Sequence, residues 1–123
     1  MSTIKTTTLS TLDGTATVPV NTVVNGSAKA WVNFNGTGTV AIRASFNVTS
    51  ITDNGTGDYT VNFTTAMVDT SYAVTGTAGD HTGGTQNRMT LDPKVFATGS
   101  IRCNVDNSSS TIDVAAVSVA IFR

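Results

Sequence analysis

The chain has 123 residues, of which 12% are charged, and a formal net charge of −1. That length suits a single domain able to bury about two thirds of its unfolded surface, enough for a core. The seven basic residues are scattered singly, which speaks against a nucleic-acid interface, and no apolar stretch approaches the ~18 residues needed to span a bilayer. Glu is absent, all eight acids are Asp, and the chain holds 24 Thr and 11 Gly. Asp, Thr, Gly and Asn favour turns and strands over helix, so the composition predicts an all-β protein.

Residues 1–27 read as a Thr/Ser/Val-rich lead-in, punctuated by Pro19 and Gly26. Its opening, MSTIKTTTLSTL, has no apolar core and is not expected to act as a secretory signal. The stretch Val18–Val24 reads as extended, with Pro19 keeping it out of the centre of a sheet. From Ala28 the pattern sharpens: Ala28, Ala30, Val32 and Phe34 alternate with Lys29, Trp31, Asn33 and Asn35, the period of a strand. After Asn35-Gly36-Thr37-Gly38, the residues Val40, Ile42, Ala44, Phe46 and Val48 alternate with polar or small neighbours, predicting one continuous strand. A second copy, Asn54-Gly55-Thr56-Gly57, leads into Tyr59, Val61 and Phe63 at the same period. A short strand is expected around Tyr72–Thr77, followed by an exposed loop, AGDHTGGTQN. Arg88–Leu91 predicts another strand, ended by Asp92-Pro93. Val95–Val105 continues the alternation through Ile101, Cys103 and Val105, with Gly99 as a bulge or bend. Thr111–Phe122 closes the chain. There Val117, Val119 and Ile121 oppose a second apolar set of Ile112, Val114, Ala116 and Phe122, which predicts a strand covered on both faces, either within a two-sheet sandwich or by another subunit on the outer face. No segment carries a helical period, so no helix of any length is expected. The sum is an antiparallel β-sandwich or jelly-roll-like domain over residues 28–123.

The two NGTG loops lack the Lys, the third Gly and the following helix of phosphate-binding loops. Flanked by alternating strands, they read as hairpin turns, with Asn-Gly supplying positive φ and the second Gly suiting a bulge. Asp53 and Asp58 bracket the second copy, and a weak calcium site is the competing reading there, although the EF-hand spacing is missing. His81 is the only histidine. With no Gly-x-Ser-x-Gly elbow and no metal-ligand spacing around it, it reads as a loop residue. The remaining Asp residues sit at turns and strand ends, where they bond their own backbone. No catalytic, cofactor or metal residues are expected, and no cofactor. Cys103 reads as a small buried hydrophobe. The six N-x-S/T sequons read as by-products of composition. Trp31 falls on the polar register of its strand. One reading packs it against a second sheet or a neighbouring subunit; the other makes it a sugar-stacking platform.

The residue order of Ala28–Met67, AKAWVNFNGTGTVAIRASFNVTSITDNGTGDYTVNFTTAM, resembles a module found at the C-terminal ends of tailed-bacteriophage tail-fibre proteins and in short phage virion proteins. The resemblance extends through Ser71–Val74 and resumes at Val119–Arg123, whereas Gly76–Asp106 departs from it. It implies a non-enzymatic virion protein made in the bacterial host cytoplasm, a homotrimer at the tail with a role in host attachment. Capsid decoration or a head fibre, or a free-standing carbohydrate-binding module, are the alternatives. By the same resemblance, residues 1–27 would dock onto other virion proteins, and Asp80, His81, Thr82, Thr85, Gln86 and Asn87 would meet a host glycan or protein. The excess apolar face of the last strand, read from its own pattern, would set Val117, Val119 and Ile121 against the neighbouring subunits.

Overall fold

The computed structural model describes residues 1–80 and 89–123. Eight of its strands form two antiparallel four-stranded sheets. They follow a small N-terminal unit of β1 (Thr8–Ser10), β2 (Thr17–Pro19) and helix α1 (Val20–Gly26). The first sheet has the order β4-β3-β10-β7, built from β3 (Ala28–Asn35), β4 (Ala41–Phe46), β7 (Ala73–Gly79) and β10 (Ala116–Phe122). The second has the order β5-β6-β9-β8, built from β5 (Val48–Gly55), β6 (Asp58–Phe63), β8 (Thr90–Ala97) and β9 (Ser100–Asp106).

The period-two pattern explains how the sheets meet. Ala30, Val32 and Phe34 on β3 and Val117, Val119 and Ile121 on β10 face inward from the first sheet. Tyr59, Val61 and Phe63 on β6 and Ile101, Cys103 and Val105 on β9 face them from the second, and all twelve are buried in one cluster. Burying apolar surface at about 25 cal/mol per Å² makes this double layer the main source of stability. Phe34 and Tyr59 join the layers edge to face at 5.1 Å. Cys103 is part of this core, and burial pushes its thiol up to about 12, with the Asp58 carboxylate adding to the shift.

The expected single strand over Val40–Val48 is two strands in different sheets. Asn47 makes the corner with φ 54°, the only positive φ of a non-glycine among the described residues. Its amide donates to the carbonyls of Lys29 (3.0 Å) and Thr65 (3.1 Å) and accepts from the Thr65 N–H (2.7 Å). Asn tolerates this left-handed conformation better than most residues, and its side chain replaces the ladder bonds lost at the corner. A shift of register between Asn33 and Phe34 acts in the same region: Ile42 pairs with Phe34, but Ala44 pairs with Asn33 and Phe46 with Trp31. One extra residue in a strand exchanges its faces. Ile42 packs against the core, while Phe46 is exposed on the outside.

The last strand also differs from expectation. Val117, Val119 and Ile121 lie inside the sandwich of their own chain, at 1–3% exposure, so they are not a surface for neighbouring subunits. Residues 112–115 lie outside β10, so the face extrapolated through Ile112 and Val114 does not continue along it; the outer face is Ala116, Ser118, Ala120 and Phe122. Pro93 does not end its strand either. It lies within β8, an edge strand, beside a register shift between Pro93 and Val95, where a missing N–H is tolerated.

In the lead-in, Val20–Gly26 is helical rather than extended. Pro19 immediately precedes it, a position where the ring's fixed φ and missing donor cost nothing. No residue of 1–27 is buried. Its side chains include exposed Ile4, Leu9, Leu12, Val23 and Val24.

Candidate functional site

The two NGTG copies sit in hairpins, one in each sheet, but not with the turn chemistry the sequence suggests. Neither Asn35 nor Asn54 has positive φ; the glycines Gly38 (61°), Gly55 (130°) and Gly57 (64°) take it instead. The bulge falls at Asn54, ahead of the Thr56-Gly57 turn, rather than at the second glycine. Asn35 folds over its own loop, donating to the Thr37 carbonyl at 2.6 Å and accepting from the Thr37 hydroxyl at 2.8 Å.

Tyr59 holds the two loops against the segment before β10. Its hydroxyl lies 2.9 Å from the Gly36 carbonyl and 2.7 Å from Asp113 Oδ1, which also accepts the Gly57 N–H at 2.7 Å. Burial, followed by the Asp113 hydrogen bond, raises the phenol well above its ordinary value and keeps it a neutral donor. This is a structural junction.

The carboxylates of the second loop already have protein partners. Arg102 donates to both oxygens of Asp58, at 2.8 and 2.7 Å, with Lys94 at 3.8 Å. The Arg102 hydrogen bond holds the Asp58 carboxyl below the usual range. Asp53 caps its own turn by accepting the Gly55 N–H at 2.9 Å. On the same outer face, burial and then the neighbouring Asp92 raise the Asp106 carboxyl. Among the described residues no group of three or more His, Cys or Asp side chains is placed to hold a metal ion.

Of the segment expected to form an exposed loop, Asp80 is described and exposed. His81, Thr82, Thr85, Gln86 and Asn87 lie outside the described residues.

The outer face of the first sheet offers a different surface. Two rows of side chains cross its strands in register. One runs Phe46, Trp31, Ala120, Thr75; the next runs Ala44, Asn33, Ser118, Thr77. Trp31 does not reach the second sheet; it is 40% exposed and Phe46 beside it is 54% exposed. Small side chains at Ser118 and Ala120 leave a shallow groove of about 330 Å³ between Trp31 and the two threonines. Asn33 Nδ2 donates to Ser118 Oγ at 2.8 Å across its floor. Alternation places Trp31 and Asn33 on the polar side of β3, so half of this surface is legible in the sequence. The pairing of β10 between β3 and β7, which brings Thr75 and Thr77 to the same groove, is not.

Fold and surface together define an all-β sandwich with a coreless N-terminal appendage. Comparison with protein-family models, curated proteins and solved structures finds no match to this chain.

Proposed function

We propose that this chain is a non-enzymatic virion protein of a tailed bacteriophage, a trimeric tail-fibre or tail-tip component engaged in host attachment. The residue order of Ala28–Met67 supports the phage reading through the resemblance given above. The structural observation that carries the assembly role is the N-terminal unit. Residues 1–27 bury no side chain within their own chain yet expose Ile4, Leu9, Leu12, Val23 and Val24. Apolar side chains with no core of their own suit a segment that orders against another protein. The sandwich would then be presented outward, with the outer face of its first sheet, and the Asp80–Asn87 segment that the resemblance points to, toward the host.

Because Val117, Val119 and Ile121 are core residues, trimer contacts in this reading fall to the outer face of the second sheet and to residues 1–27. Light scattering of the purified chain at micromolar concentration is expected to give three times the monomer mass, and electron microscopy of particles is expected to place it at the tail. A monomer across that range would refute the trimer; density on the capsid surface would move the protein to head decoration. The exposure of Trp31 favours a carbohydrate-binding role as a second reading, for a free-standing module or within the virion.

A further inference from the structure

We propose that the groove on the outer face of the first sheet binds a neutral carbohydrate, with Trp31 as the platform on which a pyranose ring stacks. The proposal rests on the attachment reading in one respect: it supplies that role with a ligand.

The chemistry of the lining points to this class. Trp31 and Thr75 flank Ala120 in one row, and Asn33 and Thr77 flank Ser118 in the next. With strands about 4.8 Å apart, the two walls stand roughly 9–10 Å from each other. The floor between them is built of small side chains, and the space of about 330 Å³ falls at the small end of ligand pockets, near 300 Å³. An indole offers a broad apolar surface with a negative face, which suits the weakly positive C–H face of a sugar ring. Around it, no described residue hydrogen-bonds the Thr75 or Thr77 hydroxyl or the Trp31 indole N–H. The Asn33–Ser118 bond leaves Asn33 Oδ1 and the Ser118 hydroxyl proton available. The groove thus offers both donors and acceptors to the hydroxyls of a polyol. None of the described residues lining the groove is ionisable, so a sugar acid or a phosphate would find no cation among them. A purely apolar partner would leave these polar groups desolvated without partners, at a cost for each one.

Two further features fit a site more closely than an accident of the surface. The register shift that turns Phe46 outward places it beside Trp31 on the side away from the groove, where it backs the indole. The groove also lies on the middle strands β3 and β10 and on β7, held rigid by the ladders, so its side chains need little ordering on binding.

Trp31 is the only tryptophan beside two tyrosines, so fluorescence under tryptophan-selective excitation reads this groove alone. The full chain would be titrated with the methyl glycosides of glucose, galactose, mannose and N-acetylglucosamine, and with sialyllactose as a charged comparison. At least one neutral glycoside is expected to shift the emission saturably, with a dissociation constant in the millimolar range. The Thr75→Ala/Thr77→Ala double variant keeps the reporter and should bind about tenfold more weakly, the loss of one or two hydrogen bonds. By calorimetry, Trp31→Phe should retain weakened binding and Trp31→Ala should show none. Three results would overturn the proposal: no saturation by any neutral glycoside, tighter binding of sialyllactose, or an emission blue-shift that grows with protein concentration in the absence of sugar. The last would mean that a second copy covers the face. Failure here is separable from failure of the virion reading. Tail density with no glycoside binding removes only the groove, and glycoside binding by a chain absent from particles removes only the virion role.

Discussion

Gly38 and Gly57 occupy the same place in two identical tetrapeptides, and both have positive φ, 61° and 64°. Their surroundings differ. A Cβ on Gly38 would meet nothing within 4 Å, whereas one on Gly57 would stand 2.6 Å from Ile112 N and from Val105 O, both backbone atoms. Those atoms are fixed in turn, since Ile112 N–H donates to the Val105 carbonyl at 3.0 Å and Val105 N–H to the Gly57 carbonyl at 2.7 Å. Gly38→Ala should therefore cost only the left-handed conformation, about 1–2 kcal/mol. Gly57→Ala should cost at least about 3 kcal/mol, because the backbone itself must move. Urea denaturation of the two variants would check this, and equal losses would show that the contact at Gly57 is not limiting.

Among the elements, the β4–β5 corner decides how the chain passes from one sheet to the other. Asn47 carries both requirements of that corner, a positive φ and three side-chain hydrogen bonds to Lys29 and Thr65. Asn47→Gly keeps the conformation and loses the bonds, for an expected loss of about 1–2 kcal/mol. Asn47→Ala loses both, for about 2–4 kcal/mol. The order Asn, Gly, Ala in denaturation midpoints is the signature; Gly and Ala variants of equal stability would show that φ plays no part. The alternation of β3, β6 and β9 could be read from the sequence because each of these strands buries one face continuously. The corner could not, since Asn47 continues the polar phase of Arg43 and Ser45 and nothing local marks it as a turn. Pro93 misleads for a related reason: proline is excluded only where a ladder needs its N–H, and the edge position of β8 is a property of the whole sheet.

For the molecule as a whole, the sandwich and the N-terminal unit have separate sources of order. The sandwich draws on a double layer of buried side chains, while residues 1–27 bury none. The link between them includes the Lys29 ammonium donating to the Val24 carbonyl, an exposed contact of the kind that adds little stability. A chain starting at Ala28 is accordingly expected to unfold cooperatively, within about 1 kcal/mol of the full chain. Loss of a cooperative transition on truncation would show that the hairpin and helix support the sheets. On the virion reading, the same truncation abolishes docking while leaving the fold intact.

Composition and the period-two pattern were enough to establish an all-β sandwich, the inward-facing residues of β3, β6 and β9, and the buried state of Cys103, because strand burial is a local, alternating signal. The helix after Pro19 escaped that pattern, since it buries no face that could impose a period. The two glycine loops were legible as turns, but which glycine tolerates a side chain depends on Val105 and Ile112, half the chain away. The inward turn of Val117, Val119 and Ile121 depended on where β10 begins. The groove beside Trp31 depended on β10 pairing between β3 and β7, and the outward turn of Phe46 on one residue of register in β4. Pairing order and register are long-range choices, made by the collective burial of both sheets, and no window of sequence contains them.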